Sequence, residues 1–144
     1  MKQIFIMFFT VSMIYANHIR WQGNYDKALK KAREQNKVLM VLLIKSNCQK
    51  CKNLVKNVFF NKPYIDKLNQ NAVSVIVNID NRHSFPIEMY WSDEYPTLFF
   101  VNSQNEVFIH KPLKNISQKD IQDILIEIMH NKLYNSTQPL CKKE

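Results

Sequence analysis

The chain has 144 residues, 46% hydrophobic and 22% charged, with a formal net charge of +8. Those values fit one globular domain with its own core and remove the need for a disulfide framework, so the three cysteines are there for their chemistry. The lysines are scattered among Asn, Gln and acidic residues, with no basic stripe carrying interleaved aromatics; the charge reads as a solvated surface, not a nucleic-acid face.

Lys2 gives a short positive start, and residues 4–16 form an uncharged, mostly apolar run ending at Ala16. As a helix those thirteen residues span about 20 Å, too little for a hydrocarbon core of about 30 Å. The run therefore predicts a secretory signal peptide over residues 1–16, with a buried N-terminal strand or an uncleaved anchor as the other readings. No stable membrane span is expected once it is removed. The mature chain would then meet an oxidising compartment, the periplasm, where thiols and disulfides interconvert.

Asn24 is placed to cap a helix in which Tyr25, Ala28, Leu29 and Ala32 share a face and which ends at Lys37. VLMVLLI, residues 38–44, is a continuous apolar run of strand length, as expected of a strand buried on both faces. Cys51, Leu54, Val55, Val58 and Phe59 fall at helical spacing, and Asn61 with Pro63 restarts a short helix carrying Ile65 and Leu68. Val73, Val75, Val77 and Ile79 alternate as a strand, followed by a variable stretch over residues 81–94. Residues 97–101 form another strand, 103–105 turn it, and 106–110 return. Ser117 and Asp120 make a capping box, and Ile121, Ile124, Leu125, Ile128 and Met129 follow on an amphipathic helix. With one glycine in the chain, Gly23, most turns fall to Asn and Asp. The domain is drawn over residues 17–133, with a polar tail over 134–144.

Within this order, NCQKCKNL places Cys48 and Cys51 at the end of a buried strand and the start of a helix. Such a pair can carry electrons, hold a metal or staple a turn. Residues three apart on a helix have Cβ atoms about 5–6 Å apart, within reach of a disulfide after modest adjustment. Free N–H groups and the helix dipole favour a thiolate in the opening turn, and Lys50 and Lys52 add positive charge. Cys48 is accordingly the expected nucleophile, and Cys51 the thiol that resolves a mixed disulfide.

With these elements in place, the chain resembles the thioredoxin superfamily from about Trp21 to His130. The resemblance rests on the buried strand before CQKC, on VNID at residues 77–80, on YPT at 95–97 and on the closing hairpin and helix. Residues 21–37 and 57–80 are similar to secreted single-domain members, among them periplasmic domains that relay electrons to misoxidised substrates. It implies a thioredoxin-like α/β fold, a central mixed β-sheet flanked by helices. It implies a redox-active Cys48–Cys51 disulfide, no cofactor beyond that pair, and Tyr95 with a cis Pro96 shaping the substrate groove. The implied partners are protein thiols or disulfides and a redox partner protein, with the chain itself a monomer.

Several positions depart from the family pattern. Leu42 stands six residues before Cys48, where cytosolic members carry a buried acid that moves a proton; Glu94 or water is left to replace it. Asn47 replaces the usual Trp, Gln49-Lys50 the usual Gly-Pro, and Lys111-Pro112 the glycine after the last strand. The competing readings are a structural disulfide, a partner-binding domain without turnover, and a metal site in which His83 is the histidine able to return toward the pair. Tyr90, Trp91 and Tyr95 pack or line a substrate surface, and Met89 packs. Cys141 is a lone tail thiol, and the glycosylation triplets at Asn115 and Asn135 are weak in so Asn-rich a chain.

Overall fold

The computed structural model describes residues 17–60, 62–81 and 83–137, with side-chain burial through residue 132. The proposed signal peptide, Asn61, Cys141 and the last seven residues of the tail lie outside the described residues. In chain order the elements are β1 (Trp21–Gln22), α1 (Tyr25–Glu34), β2 (Val38–Ile44), α2 (Gln49–Val58), α3 (Ile65–Asn71), β3 (Ala72–Asn78), β4 (Thr97–Val101) and α4 (Gln118–Thr137). The sheet order is β1-β3-β2-β4; β1 and β2 run parallel to β3, and β4 runs antiparallel to β2. This is the α/β, mixed-sheet architecture expected from the sequence.

The continuous apolar run of β2 is explained by its central place. Leu39, Val41 and Leu43 face one layer, with Tyr25, Ala28, Leu29 and Ala32 of α1. Met40 and Leu42 face the other, with Val58 of α2, Ile65 and Leu68 of α3, and Ile121, Ile124, Leu125 and Ile128 of α4. Residues two apart along a strand share a face, so both alternating sets are apolar. Burying each such Leu or Val contributes roughly 1.5–3 kcal/mol. Among the described residues no helix is long and apolar enough to cross a membrane.

Local signals set most boundaries. The Asn24 side chain accepts the Lys27 N–H at 2.9 Å and starts α1. The helix ends at Glu34, short of the expected Lys37, because Asn36 turns left-handed at φ 49°. At α4, Asp120 accepts from the Ser117 N–H at 3.0 Å and hydroxyl at 2.6 Å, while its own N–H donates to Ser117 Oγ at 3.2 Å. That is the reciprocal capping box, and these bonds hold the Asp120 carboxyl below its ordinary range. The helix continues to Thr137, past the drawn domain edge.

Three expectations change. The two-residue β1, paired through Trp21 with Ser74, is too short to show alternation in the sequence. Helix α3 begins at Ile65 behind a Tyr64 cap, so Pro63 precedes it instead of opening it; the Tyr64 hydroxyl donates to the Val58 carbonyl and ties this turn to the end of α2. The return over residues 106–110 is not a strand. The Ile109 N–H bonds Phe100 O at 2.9 Å, and the next paired position is Leu113 with Leu98. Four residues there advance against two on β4, which leaves His110 to Pro112 bulged. Pro112 has no N–H to give to a ladder.

Candidate active site

Strand β2 delivers the chain to the cysteines through a turn that β3 holds in place. The Ile79 N–H bonds Ile44 O at 2.9 Å, Asn78 Nδ2 donates to Ser46 Oγ at 2.9 Å, and the Ser46 N–H donates to Asp80 Oδ2 at 2.8 Å. The VNID stretch thus ties down the turn before the cysteines. Asn47 has φ 58°, a left-handed conformation that Asn tolerates better than a bulky Trp would. The chain then enters α2 with Cys48 as its cap residue.

Cys48 and Cys51 form a disulfide, their Cα atoms 5.3 Å apart. Cys48 is half-buried, whereas Cys51 is 4% exposed. The Cys51 N–H donates to Cys48 Sγ at 3.1 Å. In the reduced state that donor and the helix dipole both favour negative charge on the outer sulfur.

Across from them, Thr97 pairs with Leu43 near the end of β2, so the segment before it lies at the cysteine end of the sheet. Tyr95-Pro96 is cis, as the family resemblance implies. A knot of polar groups holds this segment. Ser92 Oγ and Thr97 Oγ1 lie 2.8 Å apart and both lie within hydrogen-bond reach of Glu94 O, at 2.9 and 2.6 Å, so their two protons make two of these three bonds at a time. The Tyr95 hydroxyl donates to Ser92 O at 3.1 Å.

Pro96 lines a hollow of about 480 Å³ beside α2, with Lys50, Leu54 and Asn57 on one wall and Lys114 and Ile116 on the other. Lys114 Nζ bonds Asp93 and lies 3.7 Å from Glu94. The Asp93 contact raises the Lys114 ammonium above its ordinary range and lowers the Asp93 carboxyl. Glu94 is therefore a surface ion-pair partner. Leu42 is fully buried, and among the described residues no Asp or Glu is buried, so no side chain takes over the missing internal acid.

The three aromatic residues separate. Tyr90 is fully buried, shares a 2.8 Å hydroxyl–hydroxyl bond with Tyr25 and packs edge-on against Phe99. Burial pushes both phenols up. Trp91 is 75% exposed and Tyr95 is half-buried. Met89 packs against the α1-side core, as expected. His83 is exposed, and among the described residues no group of three His, Cys, Asp or Glu side chains converges to complete a metal site. The anchoring roles of Ser92 and Thr97 escaped sequence reasoning; the local Ser-x-x-x-x-Thr spacing around Pro96 is a weak trace of them.

Comparison with known proteins follows the same lines. A family model described as thioredoxin-like matches residues 20–103. An uncharacterized protein of Borreliella burgdorferi is 33% identical over 91 residues, covering 61% of this chain and 37% of that protein, so the chain spans little more than a third of that relative. The solution structure of a putative disulphide-isomerase from Bacteroides thetaiotaomicron superposes with a TM-score of 0.61 at 26% identity, covering 86% of this chain and 98% of that one. A thioredoxin from Thermus thermophilus, at 18% identity and a TM-score of 0.58 over 78% of this chain and 88% of its own, shares the fold. With the family match running across more than half its length, from before β1 to the end of β4, the chain belongs to the thioredoxin-like family.

Proposed function

We propose that the protein is an exported thiol–disulfide oxidoreductase acting on protein substrates as a reductant or electron relay. The observation that carries this reading is the asymmetry of the cysteine pair. Cys48 caps α2, with its sulfur accepting the Cys51 N–H, and Cys51 is buried one turn behind it.

In the reducing direction the Cys48 thiolate attacks one sulfur of a substrate disulfide. The substrate S–S bond breaks, one substrate thiolate leaves, and a mixed disulfide to Cys48 forms. Cys51, once deprotonated, attacks Cys48 Sγ and releases the second substrate thiolate. The substrate has gained two electrons, the released thiolates take up two protons, and the Cys48–Cys51 disulfide has formed. A redox partner protein returns two electrons and regenerates the dithiol. With Leu42 in place of an internal acid, the Cys51 proton passes to water. Tyr95 and Pro96 form the wall along which the substrate chain lies, Pro96 from the hollow beside α2. The protein acts as a monomer and needs no cofactor beyond the cysteine pair. Export rests on the apolar run before Ala16.

The test is insulin reduction together with the reduction potential measured against glutathione. Such proteins span about 150 mV from thioredoxin to a strong oxidant. A potential at the thioredoxin end with catalytic turnover is expected. Absence of turnover from a chemically reducible pair would leave a binding domain, and a potential at the oxidising end would reverse the direction. Intact mass of the protein from its native host should start near Asn17; a full-length cytosolic chain would sink export.

A further inference from the structure

Four cations meet at the end of the sheet away from the cysteines. Strand β2 separates Lys37 from the cysteine turn by seven residues, about 20 Å at the rise of a strand. Lys37 lines two adjoining hollows. One, of about 540 Å³, also holds Lys132 of α4; the other, of about 120 Å³, also holds Arg20 and Lys31. No Asp or Glu lines either hollow. Of the ion pairs among the described residues, none involves Arg20, Lys31, Lys37 or Lys132. Burial first, and then the charges of Lys132, Lys31 and Arg20, hold the Lys37 ammonium below the ordinary lysine range.

A structural role accounts for one of the four. Lys37 Nζ donates to Asn69 O at 3.0 Å and satisfies a carbonyl in the last turn of α3. The other three bring like charge toward it with no acid between them, which weakens the fold. The surroundings suit an anion. Asn36 and Asn131 bring amide groups to the lining of the larger hollow, together with the apolar Val38, Ile109 and Ile128. No aromatic side chain lines either hollow, so there is no platform on which a nucleic-acid base would stack.

We infer that this end of the protein binds a phosphate-bearing molecule, its phosphate held at Lys37 by Lys132, Lys31 and Arg20 and its organic part resting on Val38, Ile109 and Ile128. A phosphate carries up to two charges and three free oxygens, so it uses several ammonium and amide donors at once; a lone carboxylate uses fewer. The phosphate can be free in solution or borne on an anionic lipid headgroup. This site stands independently of the cysteine chemistry.

The purified chain is titrated with inorganic phosphate while backbone amide shifts are followed, and is separately floated with phosphatidylglycerol or phosphatidylcholine vesicles. Saturable shifts at Asn36, Lys37, Asn71 and Lys132, absent around Cys48, identify a free-phosphate site. Flotation with phosphatidylglycerol alone, without phosphate shifts, identifies a headgroup site. The Lys31→Gln/Lys132→Gln double variant changes exposed or half-exposed positions and keeps the Lys37 cap. It should weaken whichever response is seen by about 25-fold, from a contribution of about fivefold for each of the two cations removed. The charge-matched Lys56→Gln/Lys119→Gln variant should leave it unchanged. No response to either probe, an equal response in both variants, or shifts spread alike over Lys50 and Lys52 would overturn the site.

Discussion

The two ends of the sheet treat one of their cations differently. At the cysteine end the cation Lys114 is neutralised by Asp93 and Glu94, and the turn before Cys48 is tied through Ser46 to Asp80. At the far end four cations gather without an acid in either hollow. A site that must present one sulfur in one position benefits from a satisfied, rigid surround. A site that waits for an anion leaves its positive charge unmet. The difference separates the disulfide exchange proposed for the cysteine end from the phosphate binding inferred for the far end.

The most severe way to break the comparison is at the nucleophile. Cys48→Ser should abolish disulfide exchange, while Cys51→Ser should accumulate mixed disulfides visible on non-reducing gels. Faster alkylation of Cys51 than of Cys48 in the reduced protein near neutral pH would reverse the assignment. Next comes the anchoring knot. Thr97→Val removes the Thr97 hydroxyl from Ser92 Oγ and Glu94 O while those two keep their bond to each other, a cost of about 0.5–1.5 kcal/mol in urea unfolding. Protein-substrate turnover should fall with it, and an unchanged unfolding midpoint would show the knot to be incidental.

Alkali should act through buried phenols. The Tyr64 phenol is pushed up to about 12 by burial, and Tyr25 and Tyr90 are also raised. The folded state then holds these protons more tightly than the unfolded chain, whose phenols titrate near about 10. Stability from this source is fully present below pH of about 10 and is lost as pH rises from there through the folded-state values. Unfolding followed across that window should show the decline, with phenolate absorbance lagging behind that of the denatured chain. A smaller effect is expected at Trp91, exposed on the segment leading to Pro96. Trp91→Ala should lower kcat/KM for a protein disulfide by about fivefold to tenfold, the loss of an aromatic contact, and leave reaction with a small aromatic disulfide unchanged. The smallest effect sharpens the contrast. The Lys31→Gln/Lys132→Gln variant should reduce insulin at the wild-type rate, since those side chains act about 20 Å from the cysteines.

Much of this molecule was legible from short windows of sequence. Strands β2 and β4 fall on the residues expected of them, and the Asn24 cap and the Ser117–Asp120 box form as read. Cys48 and Cys51 lie at the strand-to-helix junction where the pattern placed them. All of these depend on interactions within a few residues: alternation, helical spacing and side-chain caps. Tertiary structure alone decided the rest. Two-residue β1 exists through its pairing with β3, and the return after β4 breaks where His110 to Pro112 bulge off the ladder between Ile109 and Leu113. Tyr90 and Trp91 are neighbours in the chain, yet one is buried against Tyr25 and the other faces solvent. Arg20, Lys31, Lys37 and Lys132 are scattered as solvated lysines and an arginine in the sequence; only the packing of α1, β2 and α4 brings them to one end of the sheet. Local periodicity and capping act over a turn or a strand, whereas contacts between distant residues are set by which layers pack together, and no window of sequence contains both partners.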